Sequence, residues 1–149
     1  MRRTLHFCLG MFSFLCLIAW VLTASAQERP DLIGSWTVPQ LRAGVYDDKK
    51  YQIQEQTATL VIDKQDGELF TGYVQWSMVG EAAAATDHRE PFIGVIGFEE
   101  ITMVEKTDNG VWRGKLLDKD RLALTYVEAH LEGDDPESVV LSVVFTRKR

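Results

Sequence analysis

The amino-acid sequence predicts an all-β protein: an eight-stranded antiparallel up-and-down β-barrel preceded by a signal peptide. Three observations lead to this prediction. Short segments alternate apolar and polar residues along most of the chain, which is typical of strands with one buried face. Turn signals separate these segments, the strongest being Asn109-Gly110 and Asp66-Gly67. Helical patterning is scarce, apart from one turn's length of alanines at residues 82–85.

The N-terminal segment has the parts of a secretory signal peptide. Arg2 and Arg3 supply positive charge, and residues Leu5–Leu22 are almost entirely apolar. Small residues, Ala24-Ser25-Ala26, precede an expected cleavage before Gln27. We therefore expect residues 1–26 to be removed and the protein to be exported, to the periplasm or the extracellular space.

Two alternatives exist for this segment. An uncleaved anchor is conceivable because the apolar run is just long enough to span a bilayer, but no stop-transfer flank follows it. A lipoprotein cysteine at Cys16 is disfavoured by the bulky Phe14 and Leu15 before it. Cleavage is the favoured interpretation, and the cleaved protein would have no stable membrane anchor.

Cleavage would leave residues 27–149 as a single domain without cysteine, since Cys8 and Cys16 both precede the cleavage site. Disulfides, thiolate nucleophiles and cysteine metal sites are then excluded. The formal net charge of −6 for the whole chain disfavours nucleic acids and anionic membranes as partners.

Eight segments have the length and alternation of strands, and three consecutive pairs of them are joined by turn signals. The predicted strands are Ile33–Val38, Thr57–Asp63, Leu69–Ser77, Phe92–Phe98, Ile101–Thr107, Val111–Leu117, Leu122–Val127 and Val139–Arg147. Two stretches interrupt the alternation, Pro39–Gln56 and Gly80–Pro91, and we predict long loops there. Loops of this length often serve as lids or binding loops.

The two-residue period of a strand predicts which side chains line the barrel interior. The aromatic residues assigned to the inward faces, and hence to a core or to the wall of a ligand site, are Trp36, Phe70, Trp76, Trp112 and Tyr126. In the last strand Arg147 shares its face with these core residues. An inward arginine needs a partner, and the indole of Trp36 on the neighbouring strand is a good one.

The outer surface of the last strand is also apolar. Val140 and Val144 face outward with only Ser142 between them, and Val127 faces outward on the preceding strand. Exposed apolar patches often mark protein contacts, so these three valines predict the face of a homo-oligomer.

The chain resembles the calycins, the group that includes lipocalins, fatty-acid-binding proteins and avidins. The resemblance is carried by Gly34-x-Trp36 on the first strand and Arg147 on the last, which such barrels use to close one end. The local sequence is most similar to avidins at Glu68–Gly72, at Gly133-Asp134-Asp135 and at Phe145-Thr146-Arg147. The resemblance implies a barrel over residues 32–147. It also implies that copies of the protein associate through the outer faces of their barrels, as avidins do.

The biotin-binding residues of avidins are not matched. Val38 stands where avidins have an asparagine, Val143 replaces a polar ligand and Pro136 replaces a tryptophan. The binding tyrosine of avidins lies two residues after the glycine of the Phe-Thr-Gly motif. Here Tyr73 lies one residue after Gly72, which places it on the opposite face of the strand. We therefore expect no specific biotin binding.

The sequence predicts a secreted or periplasmic barrel that binds a small apolar ligand in its lumen, without cofactor or metal. The alternative is a protein-binding barrel, such as an inhibitor of a secreted protease or lysozyme, that acts through its loops. We expect no enzymatic activity, because His88 and His130 have no recognisable nucleophile motif near them. The acidic turn at Asp134-Asp135 lacks the ordered pattern of a calcium loop.

Overall fold

The computed structural model describes residues 29–47, 50–78, 89–107, 109–129 and 137–149. It confirms the predicted fold class: eight antiparallel strands form one closed barrel in which each strand pairs with its neighbours in sequence, and β8 pairs with β1. The strands are β1 Gly34–Asp47, β2 Lys50–Asp66, β3 Leu69–Met78, β4 Arg89–Ile96, β5 Ile101–Glu105, β6 Val111–Asp118, β7 Arg121–Ala129 and β8 Glu137–Arg147.

Two of the turns adopt the backbone conformation that their sequence signals predict. Gly67, between β2 and β3, has φ +60°. Asn109, between β5 and β6, has φ 55°. Both values lie in the left-handed region, which glycine and asparagine enter most easily. The two hairpins therefore fix the register of β2 with β3 and of β5 with β6.

The core consists of the inward side chains of all eight strands, as the alternation predicts. Trp36, Trp112 and Phe145 are completely buried, and Phe70 is nearly so. Phe70 packs edge-on against Phe92 at 6.0 Å. A Cβ at Gly94 would lie 2.3 Å from the Phe70 ring, so a glycine is needed there to make room for this ring. The middle of the barrel is thus filled by its own side chains.

The predicted loop at Pro39–Gln56 is wrong: residues 39–47 extend β1 and residues 50–56 extend β2. The cause is a β-bulge, since Val38 pairs with Ala58 and Leu41 with Gln56, which leaves one extra residue in β1. The bulge moves the inward positions from even to odd numbers, so a fixed two-residue period fails here. The inward residues after it are Leu41, Ala43 and Val45, all buried.

The predicted loop at Gly80–Pro91 is partly wrong as well. Residues 79–88 lie outside the described residues, but Arg89–Pro91 belong to β4, where Pro91 pairs with Tyr73. The polar Glu90 at an inward position conceals the start of this strand from an alternation pattern based on apolar residues. The predicted signal peptide also lies outside the described residues. Among the residues that are described, no helix is long and apolar enough to span a membrane.

One end of the barrel, which we call the closed end, is covered by the segment before β1. Leu32 is completely buried there, and the indole of Trp36 donates a hydrogen bond to its carbonyl at 3.0 Å. The guanidinium of Arg147 lies over the Trp36 ring, 4.2 Å from its centre. It also donates hydrogen bonds to the carbonyls of Asp31 and Ile33 at 2.6 and 2.7 Å. Gly34 has φ +140°, a conformation that side chains rarely adopt.

Candidate functional site

The opposite end, where β1 joins β2, β3 joins β4, β5 joins β6 and β7 joins β8, is called the loop end. Toward this end the inward positions of β2, β4, β5 and β7 change from apolar to polar, whereas those of β1 stay apolar. In β2 the buried Ala58 is followed inward by three glutamines, which are half-buried. On β4, β5 and β7 the inward positions at this end carry carboxylates. These polar residues are Gln52, Gln54, Gln56, Glu90, Glu105 and Glu128.

Three aromatic rings form a cluster between the apolar core and these polar residues. Trp76 of β3 stacks on Trp112 of β6, with ring centres 5.4 Å apart and planes 11° from parallel. Tyr126 of β7 contacts both rings, at 4.6 Å from Trp112 and 6.0 Å from Trp76. Trp112 and Tyr126 are buried, whereas Trp76 is only partly buried against the core. Trp76 is therefore the member of the cluster that keeps some exposed surface.

Glu105 is the buried carboxylate of this end, with only 3% of its surface exposed. Its Oε1 accepts a hydrogen bond from the Trp112 indole at 2.9 Å, and its Oε2 lies 2.8 Å from the Tyr126 hydroxyl. Burying a carboxylate is unfavourable unless its oxygens are satisfied. The aromatic cluster therefore supplies the hydrogen-bond donors that keep Glu105 inside the barrel.

The Tyr126 hydroxyl lies between two carboxyl groups. Its oxygen is 2.8 Å from Glu105 Oε2 and 2.5 Å from Glu128 Oε2. A phenol has one hydrogen and can donate to only one of these carboxyl groups at a time. Tyr126 thus links Glu105 on β5 to Glu128 on its own strand.

The environment of Glu105 favours its protonated form. Burial raises the pKa of Glu105 above the 4.5 usual for a glutamate. Hydrogen bonds from Trp112 and Tyr126 oppose the rise in this pKa, while the negative charges of Glu128 and Glu90 add to it. Burial, and then the hydrogen bond with Glu128, raise the pKa of Tyr126, so the phenol stays protonated. Among the described residues, no cation shifts the pKa of Glu105.

Glu90 provides a third carboxylate that acts on Glu105. Its Oε2 atom is buried and has no hydrogen-bond partner among the described residues. Within the described ranges, no three acidic or histidine side chains are close enough together to hold a metal ion.

Gly110, between β5 and β6, leaves the space in which the Glu105 and Tyr126 side chains meet. A Cβ at this position would lie 2.2 Å from the Tyr126 hydroxyl and 2.5 Å from Glu105 Oε2. The Gly110 carbonyl also accepts a hydrogen bond from the Glu105 amide at 2.9 Å. The hairpin signal Asn109-Gly110 thus positions the carboxylate as well as reversing the chain.

The aromatic residues predicted from the sequence fall into two groups. Trp76, Trp112 and Tyr126 come together at the base of the loop end. Trp36 lies at the closed end under Arg147, and Phe70 lies in the core against Phe92. The sequence analysis missed all three carboxylates. A detectable signal existed, because each occupies the position that continues the inward period of its strand.

The outward valines lie on the surface. Val127, Val140 and Val144 are 49%, 50% and 46% exposed. A separate surface groove of about 500 Å³ lies between β1 and β8, whose residues are not paired between Thr37 and Gly44. Its walls carry Arg42 and Ser142. Its lining also includes the inward-facing Val38, Leu41 and Val143, so the groove lies in the barrel wall where β1 and β8 separate.

Comparison with known proteins supports the fold. No protein-family model matches the chain, and no curated protein matches it. A similar solved structure is that of the S-type phycobiliprotein lyase CPES from Guillardia theta, with 11% identity and a TM-score of 0.50. The match covers 79% of this chain and 89% of that one. The likeness therefore shows a shared fold over these lengths.

Proposed function

We propose that the protein is a small-molecule-binding barrel whose ligand, a molecule with an apolar body, enters the lumen at the loop end and packs on Trp76. The observation that carries this proposal is the partly buried Trp76 ring, stacked on Trp112 at 5.4 Å. An incompletely covered aromatic ring with converging polar groups is typical of ligand sites. A calycin-type fold is consistent with a container of this kind.

The packing restricts the ligand to one half of the barrel. At the closed end and in the middle, Trp36, Phe70 and Phe145 are buried and leave the lumen filled. Half-buried inward side chains occur near both ends, Ile96 and Leu116 toward the closed end and Trp76 toward the loop end. At the loop end they include an aromatic ring with polar groups around it. A small ligand of a few rings fits this proposal better than a long chain that would need the whole lumen.

The proposal assigns binding without catalysis. Glu105 has the raised pKa that a general acid would need, yet each of its oxygens is engaged in a hydrogen bond with an aromatic residue. These contacts suit a positioned charge better than a group that transfers a proton to a substrate. The name of the similar structure describes a lyase, and 11% identity is too low to bring that activity to this chain.

We further propose an exported location and a ligand other than biotin. The signal-like residues 1–26 support export. The local similarity to avidins supports a related container, but the positions of two biotin contacts carry the buried Val38 and Val143. Neither valine can pair with a ureido group, so biotin would leave its polar atoms unsatisfied.

The test is binding of a neutral fluorescent probe, N-phenyl-1-naphthylamine, to residues 27–149. We expect its fluorescence to rise on binding, and Trp76→Ala to weaken the affinity by about tenfold because the main contact ring is lost. Phe98→Ala is the matched control, since Phe98 is fully exposed in the turn before β5. No binding by the unmodified protein, or equal loss in both variants, would contradict the proposal and favour the protein-binding alternative.

A further inference from the structure

We propose that the groove between β1 and β8 binds an extended peptide segment of a partner protein, which pairs with the strands there through its backbone. The peptide site is separate from the ligand site at the loop end and does not depend on it. Three observations carry it: backbone groups that lack a strand partner, a groove with an apolar floor, and an arginine without an ion pair.

The first observation is an interruption in the pairing of β1 with β8. Pairing stops after Thr37 and resumes at Gly44. Residues 38–43 of β1 and 141–145 of β8 therefore have no partner across this seam. At about 3.3 Å per residue these stretches are roughly 17–20 Å long, which is the length of a short strand.

The sequence accounts for this interruption. If the pairing continued past Thr37, Pro39 would face Val144. A proline has no N–H to donate to a strand partner. The β-bulge after Val38 then shifts β1 by one residue relative to both of its neighbours. A proline and a bulge together thus open the seam.

Two hydrogen bonds show which backbone groups of β8 point toward β1. The Lys148 amide donates to a β1 carbonyl at 2.7 Å, whereas the Arg147 amide donates to the Asp120 carbonyl, just before β7, at 2.9 Å. Backbone groups of a strand alternate between its two neighbours, so the even-numbered residues of β8 face β1. The N–H and C=O groups of Ser142 and Val144 therefore point into the groove.

These backbone groups determine the kind of partner. Ser142 and Val144 are exposed residues, so an incoming chain can reach them. Unpaired donors and acceptors along a strand are a template for another strand. Their alternation matches the main chain of an extended peptide, which binds such edges by adding a strand.

The second observation is the floor of the groove. The groove has a volume of about 500 Å³ and is lined by Val38, Leu41 and Val143, whose side chains belong to the barrel core. Alternate side chains of an extended peptide point to the same face. Two apolar side chains of the bound peptide would therefore face this floor while its backbone pairs with β8.

The third observation indicates the charge of the peptide. Arg42 is exposed at the groove, and its side chain has no ion pair or hydrogen bond among the described residues. Glu55, its partner in the β1–β2 register, accepts a hydrogen bond from Gln40 at 3.3 Å instead. An acidic side chain on the outer face of the peptide would supply a partner for Arg42.

The test compares one peptide with its N-methylated counterpart. We would titrate residues 27–149 with an acetylated and amidated pentapeptide, Thr-Val-Glu-Val-Thr, by isothermal titration calorimetry. Its two valines share one face, and its glutamate lies on the other. Methylating the nitrogens of the three central residues should weaken binding at least tenfold, because the peptide can no longer donate to the strands. Equal affinities, or no binding by the unmethylated peptide, would overturn the proposal.

Hydrogen exchange followed by NMR locates the bound peptide. The amides of Ser142 and Val144 point into the groove, whereas those of Val143 and Phe145 point to β7, with which they are paired. Saturating peptide should slow exchange of the first two amides about tenfold and leave the other two unchanged. Binding that displaces N-phenyl-1-naphthylamine from the loop end without protecting Ser142 and Val144 would contradict the assignment to the groove.

Charge variants test the contact with Arg42. Arg42→Gln should weaken the peptide severalfold, and a peptide with glutamine in place of its glutamate should bind the variant and the unmodified protein equally. Arg113→Gln is the matched control, because Arg113 is an exposed arginine on β6. An equal loss of affinity in Arg113→Gln would overturn the role of Arg42.

A second copy of the chain is the other candidate for this groove. In that case the amides of Ser142 and Val144 would be protected in an oligomer without peptide, and dilution to the monomer would remove the protection. This result would overturn the proposal of a partner peptide. Protection that appears only when the peptide is added, while the mass of the protein assembly stays the same, supports it.

Discussion

Arg147 joins three separate segments of the chain at the closed end. Its planar guanidinium covers the Trp36 ring, and its nitrogens donate hydrogen bonds to the carbonyls of Asp31, Ile33 and Lys119. A lysine has the charge but lacks the planar fork needed to meet several carbonyls and an indole at once. The side chain therefore holds the N-terminal segment over the barrel and keeps the buried Leu32 in place.

We expect Arg147→Ala to lower the free energy of unfolding by about 2–4 kcal/mol, because a cation–π contact and charged hydrogen bonds are lost together. Chemical denaturation of the two proteins measures the difference. Arg149→Ala serves as the control, since the Arg149 side chain is 84% exposed and forms one surface ion pair with Asp120. Equal effects of the two substitutions would contradict this role of Arg147.

Glu105 makes a pH-dependent contribution to stability. Its pKa is raised in the folded protein by burial and by Glu128 and Glu90, so the folded state binds its proton more tightly than the unfolded state does. The resulting stabilisation is fully present below the unfolded value, near 4.5, and is lost as pH rises through the folded pKa.

Glu105→Gln should remove this loss of stability with rising pH, because an amide does not ionise. Its oxygen can accept a hydrogen bond from Trp112, and its NH₂ group can donate one to the Tyr126 oxygen. We expect the melting temperature of the variant to rise relative to that of the unmodified protein as the pH increases from below 4.5 to neutrality. Thermal melts at a series of pH values measure it, with the exposed Glu99→Gln as control. A difference that is constant with pH, or that shrinks as pH rises, would contradict the assignment.

At the scale of elements, the hairpins and the core faces were predictable from the sequence. Asp66-Gly67 and Asn109-Gly110 set turns whose backbone requires such residues, and apolar alternation identified the inward sides of β3, β6, β7 and β8. The first hairpin was not predictable in this way. Its bulge after Val38 changes which positions face inward, and a bulge depends on pairing with β2 rather than on local sequence.

The three carboxylates of the loop end were not predicted from the sequence, for a related reason. An alternation pattern identifies the inward face by its apolar residues, but in the loop-end half of β2 the glutamines point inward while Tyr51 and Ile53 are exposed. In this half of β2 the polar side chains face inward and the apolar ones outward, which is the reverse of the usual strand pattern. Glu90, Glu105 and Glu128 come together only through the pairing of distant strands, although each keeps the inward period of its own strand.

At the scale of the whole molecule, the barrel has an apolar row on its outer surface. Val127 of β7 pairs with Val140 of β8, which pairs with Gly44 of β1, which pairs with Ile53 of β2. The three larger side chains are each about half exposed. Such a continuous apolar row supports the homo-oligomer that the outward valines predict.

We expect residues 27–149 to form at least a dimer at micromolar concentration and Val140→Lys to dissociate it, because a lysine in a dehydrated apolar contact loses its hydration. Light scattering gives the mass. Val95→Lys is the control, since Val95 is also exposed but lies on β4, across the barrel from β8. A monomeric mass for the unmodified protein would rule out the oligomer.

The central claim is that the loop end of the lumen is a ligand site, and a crystal structure of residues 27–149 with N-phenyl-1-naphthylamine tests it most directly. We predict electron density for the naphthalene ring against Trp76. Density for the probe in the groove between β1 and β8, with the loop end unchanged, would contradict the account.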